Sequence, residues 1–434
     1  MLSAFATKLA QGLAGPVSAV LVLHFFDPTT QGYYYTFGSL LALQIFVELG
    51  LSAVITTFAA HEWVALETNG AGRVVGDQSS LDRLASITRS AFRWYMVGSL
   101  ILLVVLLVAG IWFFGNKDAS HDVEWLGPWI VISGIAMFSF AMTPAWAILV
   151  GCGEIGRVNS YRLVETLARS IVLWLAISLG ASLWATVFSI GIAQLMGASF
   201  LVVRYRKFFT SLFQLPKSGT FNWRKEVAPL QMRVGLSWLS GYFAFSLFTP
   251  VAFHFLGPVA AGQVGMTWAL IFGLSGLAST WVGVRSPRFA ALVARREFSK
   301  LDKIAIGTAW IGTFISTAGA IVGIAILVVL GHFRPDLAAR FLPVGAVAFF
   351  MLAEILHQIS MVQSTYLRAF KKEPFLWISW GAACVIGIGT VLLTRPLPGY
   401  GAALSYLAGI FLSLAWGTIV FARCRKEWTF PRAS

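Results

Sequence analysis

Long apolar runs alternate with short, polar and mostly basic connections from one end of the chain to the other. A helix crossing a ~30 Å hydrocarbon core at 1.5 Å per residue needs about 20 such residues. Runs of that length fall near 5–26, 32–60, 94–115, 128–150, 162–182, 183–203, 231–256, 262–284, 305–330, 341–362, 376–394 and 401–422. In hydrocarbon only helices and closed barrels pair every backbone N–H and C=O, and the short alternating segments of a barrel are missing. The pattern predicts an all-α integral membrane protein with about twelve transmembrane helices. Two connections, Ser79 through Phe92 and Phe289 through Phe298, place apolar residues on one face and Arg on the other, so they read as helices lying in the headgroups.

Composition agrees: 58% of residues are hydrophobic and 12% charged, with mean hydropathy +0.78, where a soluble chain carries about 25% charge. The net charge of +14 would suit nucleic acid were it not so unevenly distributed. Of the 32 lysines and arginines, one set of alternate loops and the two termini carry nearly all. The opposite loops hold only Lys117, Arg334, Arg340 and Arg395. That asymmetry puts the basic side and both termini in the cytoplasm, with the excess encoding orientation and contact with anionic membrane lipids rather than nucleic acid. The first apolar run has one lysine before it and no small-residue cleavage pattern after it, so it reads as an uncleaved first helix. The basic, Pro- and Gly-containing stretch 204–230 divides the spans into an N-terminal six-helix bundle (1–203) and a C-terminal bundle with a cytoplasmic tail (231–434), 204–230 being a cytoplasmic linker. Cys152, Cys384 and Cys424 form no disulfide framework.

The halves echo each other. His24-Phe25-Phe26-Asp27-Pro28-Thr29-Thr30-Gln31-Gly32 aligns without a gap on His254-Phe255-Leu256-Gly257-Pro258-Val259-Ala260-Ala261-Gly262 at a constant offset of 230. Pro is expected to stop one helix and Gly to permit the turn into the next. Six spans apart, the copies have the same orientation, which predicts a parallel repeat about an axis along the membrane normal.

Asp27 through Tyr34, followed about sixteen residues on by Glu48-Leu49-Gly50-Leu51-Ser52, resembles the polysaccharide (O-antigen) flippases of the MOP superfamily, the multidrug/oligosaccharidyl-lipid/polysaccharide transporters. Their pattern is a short external turn ending in Gly-Tyr and then a D/E-L-G-L motif. Gly151-Cys152-Gly153-Glu154 is similar to the family's glycine-containing intracellular turn. The second half departs from the pattern, having Gly273-Leu274-Ser275-Gly276-Leu277 where a D/E-L-G-L counterpart would stand. The resemblance implies a MATE-like fold of two six-helix bundles and a flippase, working by alternating access, for a polyprenyl-diphosphate-linked oligosaccharide in the bacterial inner membrane. Membrane lipids and a glycan polymerase or other assembly proteins are its implied partners.

Exposing a diphosphate and sugars to hydrocarbon costs several kcal/mol per polar group, so such a flippase needs a wet cleft bearing cations. Ionisable groups inside spans are functional hypotheses by default. Lys8 and Arg169 are the candidate phosphate or headgroup contacts. Against that, Lys8 would suit a snorkelling anchor, and Arg169 a structural pair with Glu165, one turn away. Glu48, Glu165, Glu354 and His357 are candidates for coupling or gating. A raised carboxyl pKa in Glu48 would suit H+ or Na+ coupling, and Glu354 and His357 share a helical face as a candidate relay or interhelical contact. An E-x-x-H metal pair needs a second copy and further carboxylates, which the chain lacks, so no metal or other cofactor is expected. Pro16, Pro144 and Pro250 are candidate kinks.

The nearest alternative is a cation-coupled multidrug exporter of the same superfamily, which would favour acidic cleft residues. The major facilitator loop after the second span is missing. A membrane glycan polymerase or ligase would need a sizeable external loop, and the longest here is the short stretch Asn116 to Gly127, with Asp118, His121, Asp122 and Glu124. No phosphate-cradling glycine loop, nucleophile elbow or zinc spacing is found, so no enzyme is expected.

Overall fold

The computed structural model describes residues 2–115, 123–216, 226–370 and 372–429, with side chains from residue 14 onward apart from those of 229, 230, 233 and 429. In chain order the helices are α1 (Leu2–Phe25), α2 (Pro28–Leu41), α3 (Gln44–Glu48), α4 (Leu51–Trp63), α5 (Gln78–Phe114), α6 (Leu126–Gly151), α7 (Ile155–Ser178) and α8 (Trp184–Gln214). They continue as α9 (Ala228–Phe245), α10 (Phe248–Leu256), α11 (Pro258–Ala294), α12 (Phe298–Phe333), α13 (Pro335–Ala338), α14 (Val344–Arg368), α15 (Leu376–Thr394) and α16 (Gly401–Thr429). Eight of the described helices are long and apolar enough to cross a membrane: α5, α6, α8, α11, α12, α14, α15 and α16. Two bent pairs raise the number to ten, and Ala14–Phe25 is a shorter apolar helix. The remaining expected span falls on α7, whose Arg157, Arg162, Glu165 and Arg169 dilute its apolar character. Side chains such as Trp310, Phe314 and Ile419 stand exposed on the helices. Such extensive apolar exposure is foreign to a water-soluble surface and suited to lipid.

The bends are findings that hydropathy did not foretell. The expected span 32–60 breaks at Leu49 and Gly50, with φ 46° and 67°, and its two parts meet at 49°. A residue in the left-handed region ends an α-helix, so Glu48-Leu49-Gly50-Leu51 is the break itself. The expected span 231–256 breaks between α9 and α10 with a 44° bend. Pro250 lies in the first turn of α10, where its missing N–H costs no helical bond; Pro16 and Pro144 lie inside α1 and α6.

Two local expectations are corrected. The segments taken for separate interfacial helices are not separate: Ser79–Phe92 is the first part of α5, capped by Asp77, whose carboxylate accepts from the Ser80 amide at 2.9 Å. Phe289 lies in α11 and Phe298 opens α12. Ahead of α5, β1 (Leu66–Thr68) and β2 (Val74–Gly76) form an antiparallel hairpin pairing Glu67 with Val75. Its turn is held by Asn69 Oδ1, which accepts from the amides of Ala71 and Arg73. Finally, Pro28 and Pro258 begin α2 and α11, the first-turn position where proline is favoured, so they start the second helix rather than stop the first.

The chain forms two compact units, unit 1 of Met1–Ala10 and Phe37–Leu239 and unit 2 of Gln11–Thr36 and Ser240–Ser434. In unit 1, α6 packs on α4, α5 and α8, and α7 packs on α8. Trp129 meets Phe37 and Phe114 edge to face, and those two rings lie tilted against each other. Arg83 bridges Glu62 and Glu226, each at 2.9 Å. In unit 2, α16 packs on α14 and α15, and α12 on α11 and α14. A buried cluster including Phe289, Leu301, Tyr366 and Leu367 is closed by Asp302, which accepts from Arg425 at 2.6 Å and from the Tyr366 hydroxyl at 2.9 Å. All three cysteines are unpaired.

Candidate functional site

The most concentrated buried polar chemistry among the described residues lies inside unit 2, on α14. Glu354, His357 and Gln358 occupy one stretch of that helix because i, i+3 and i+4 share a face. Glu354 is 2% exposed and Gln358 is fully buried. From α16 the Tyr406 hydroxyl donates to Glu354 Oε1. Glu354 Oε2 lies 3.7 Å from His357 Nδ1, beyond hydrogen-bond distance, and both atoms lack a hydrogen-bond partner. Gln358 donates to Ser275 Oγ of α11 at 3.5 Å, while its carbonyl oxygen has no partner. Around this cluster stands an aromatic wall: Trp268 contacts Tyr406, Phe248 and Phe350 with ring centroids 5.1, 5.0 and 5.5 Å apart, and Phe245 lies 6.0 Å from the His357 ring.

A buried carboxylate is costly unless paired, hydrogen-bonded or neutralised. One Glu354 oxygen is satisfied and the other faces an imidazole nitrogen that is equally unsatisfied. This arrangement leaves the free carboxylate oxygen able to take a proton or a small cation. No group of three or more His, Cys, Asp or Glu suited to a metal occurs among the described residues.

Glu48, in unit 1, is held differently. It is the last residue of α3, its Oε1 accepts from the Ser52 hydroxyl across the helix break, and the Tyr95 hydroxyl lies 3.5 Å away. The first residues of α4 present free amides, and an acidic side chain there is favoured. On α7, Glu165 is partly buried and Arg169 exposed. They interact electrostatically, but among the described residues they form no ion pair within 4.0 Å. The Arg169 carbonyl accepts from Ser189 Oγ at 3.0 Å. Lys8 lies on α1, its side chain outside the described residues, as do Asp118, His121, Asp122 and linker residues 217–225. Sequence reasoning thus placed Glu354 beside His357 and missed Tyr406 and the aromatic wall, which, Phe350 apart, come from other helices. A tyrosine in an otherwise apolar span was the available signal.

No family model and no curated protein matches the sequence. Solved structures do match over nearly the whole chain. An inward-facing multidrug resistance MATE family transporter of the MOP superfamily aligns with TM-score 0.64 and 14% identity over 94% of this chain and 99% of that one. A MOP superfamily transporter from Pyrococcus furiosus, described as having a binding pocket of reversed polarity, aligns at 0.60 and 14% over 98% and 95%. The MATE multidrug transporter DinF-BH, solved as a complex, aligns at 0.64 and 14% over 98% and 95%. The chain has the MOP transporter fold. These neighbours are transporters rather than enzymes.

Within this MOP fold the two copies of the H-F-x-x-P motif meet in unit 2. A Cβ on Gly32 would lie 1.9 Å from the carbonyl oxygen of Pro258, and one on Gly262 would lie 3.0 Å from the amide of Gly32 and 3.2 Å from the carbonyl of Pro28. Each glycine therefore faces the other copy's proline turn. Both glycines lie inside helices, so their role is close backbone approach rather than the turn expected of them. Gln31 fastens the junction, donating to the carbonyls of Gly262 at 2.8 Å and Arg340 at 3.1 Å. Arg340 in turn donates to Gln31 Oε1 at 2.7 Å and to the Phe26 carbonyl at 2.6 Å.

Proposed function

We propose that the chain is a secondary transporter that moves a lipid-linked oligosaccharide, headed by a polyprenyl diphosphate, from the inner to the outer leaflet of a bacterial plasma membrane for polysaccharide assembly. It works by alternating access and draws on an H+ or Na+ gradient rather than on nucleotide hydrolysis. The observation that carries the transporter reading is Glu354, a buried acid with one free oxygen inside a MOP fold. A group of this kind is costly in hydrocarbon and marks ion pathways; Glu354 and His357 are the coupling pair.

The glycan-lipid cargo is supported by the turn and D/E-L-G-L resemblance and by Arg169, a guanidinium without a direct ion pair among the described residues. A planar, permanently charged fork suits phosphate oxygens. Lys8 is proposed as a second headgroup contact, with Glu48 and Glu165 as gating groups. A glycan polymerase is the expected assembly partner. Arg169→Ala is expected to abolish glycan export with the protein level unchanged, read as surface glycan against membrane-fraction immunoblot. Normal export would remove Arg169 from the site.

The aromatic wall around Glu354 supports a second reading, a cation-coupled multidrug exporter, because rings beside a carboxylate attract organic cations. MATE neighbours are themselves described as multidrug transporters. Deleting the chain separates the two: loss of surface glycan supports the flippase, whereas hypersensitivity to cationic dyes with intact glycan supports the exporter.

A further inference from the structure

A cavity of about 600 Å³ lies at the end of unit 2 away from the Arg- and Lys-rich loops. It is built from the ends of α10, α11 and α12, the segment leading into α14, and the turn after α15. Leu327, Gly331, Phe341, Pro343 and Pro398 are typical of its lining. Its one side-chain amide, Gln263, is already spent on the Ala339 carbonyl at 2.8 Å. Such a wall offers mainly hydrocarbon contact, so it favours an alkyl chain over sugars. The same helix, α12, carries a neighbouring wholly apolar groove formed by Ala325, Ile326, Val329, Leu330 and Phe333.

The rim is mostly basic, with three arginines and one aspartate, Asp336. Three of the four basic residues on this side of the sequence, Arg334, Arg340 and Arg395, stand in the connections that frame the cavity. Arg334 is matched by Asp336 at 3.0 Å, and Arg340 is engaged by Gln31 and the Phe26 carbonyl. Arg395, at the C-terminal end of α15 three residues before Pro398, is exposed and has no partner among the described residues. Cations on the side that the positive-inside rule leaves poor in them call for a local cause.

We infer that this cavity is a binding site for an anionic phospholipid of the bilayer, one acyl chain lying in the cavity, the other along the groove on α12, and the phosphate at Arg395. A phospholipid is chosen over the cargo because every lining residue belongs to unit 2 alone, which suits a resident lipid. The site is independent of what the transporter carries.

The test uses the full chain in phosphatidylcholine nanodiscs with a trace of phosphatidylglycerol carrying a diazirine near the end of one acyl chain. After irradiation, crosslinked peptides are expected from 327–344 and 395–400. Excess phosphatidylglycerol should compete for the label, and excess phosphatidylcholine should not. Gly331→Leu is expected to suppress this labelling severalfold. A Cβ there meets only Ala338 at 3.9 Å, and leucine is the better helix former. Arg395→Gln, a change on an exposed side chain, is expected to leave residual labelling for which the two lipids compete equally, and it keeps the test open should the cavity variant fail to fold. Four results would each overturn the site: no label in these peptides, label unchanged by both substitutions, equal competition by phosphatidylcholine on the unsubstituted protein, or competition by an isoprenyl phosphate alone.

Discussion

Glu48 and Glu354 are both glutamates in apolar surroundings, each with a buried tyrosine beside it, yet their situations differ. Glu48 sits where a helix is interrupted, partly exposed, with Ser52 bridging the break. Glu354 sits in an unbroken helix, almost wholly buried, with Tyr406 on one oxygen and an unmet imidazole nitrogen near the other. The first carboxylate is engaged by the Ser52 and Tyr95 hydroxyls beside the break, and the second keeps one buried oxygen without a hydrogen-bond partner. On the proposed function, that difference singles out Glu354, rather than Glu48, as the group to load and release an ion.

Substitutions sharpen the contrast. The largest effect is expected from Glu354→Gln, which keeps the shape and an acceptor for Tyr406 but removes the charge. Transport should fall to background, while the unfolding temperature in detergent holds or rises, because a buried ion is replaced by a neutral isostere. Tyr406→Phe removes a hydrogen bond to a charged group, a loss of about 1.5–3 kcal/mol. It should lower the unfolding temperature and reduce transport only in part. Glu48→Gln retains an acceptor for Ser52, so a cost of about 1 kcal/mol is expected, with transport reduced less than by either change in unit 2. Should Glu48→Gln abolish transport and Glu354→Gln spare it, the assignment of roles would be reversed.

The smallest effect concerns pH. Burial raises the Asp27 carboxyl pKa, but hydrogen bonds from the Thr30 hydroxyl and the Thr30 and Thr29 amides outweigh it, leaving it below its ordinary value. A depressed carboxyl pKa contributes stability that is complete above the unfolded value and is lost as pH falls through the folded one. Asp27→Asn should therefore lower the unfolding temperature at neutral pH, and the gap from the unsubstituted protein should shrink below about pH 4.

Much of the fold was legible because hydrophobic burial in lipid writes itself into long runs. Every expected span falls on helix, and the four-position repeat marks two turns that meet in space. What stayed hidden is geometry that composition does not register. Leu49 and Gly50 fall inside a long, mostly apolar run, so only their backbone angles reveal the break. Gly32 reads as a turn residue until Pro258 is found against it. Gln31 and Arg340 are 309 positions apart, and no local pattern pairs them. Of the candidate site, Glu354 and His357 were legible because they share one helix. Tyr406, Trp268 and Phe248 were not, because three other helices bring them.

Reconstitution tests the central claim most directly. The purified chain is placed in proteoliposomes holding a fluorescent polyprenyl-diphosphate oligosaccharide, and the fraction accessible to an external quencher is followed after an ion gradient is imposed. Gradient-dependent translocation by the unsubstituted protein, absent with Glu354→Gln, is the expected result. No translocation of the glycan lipid, with an organic cation moved under the same gradient, would contradict it.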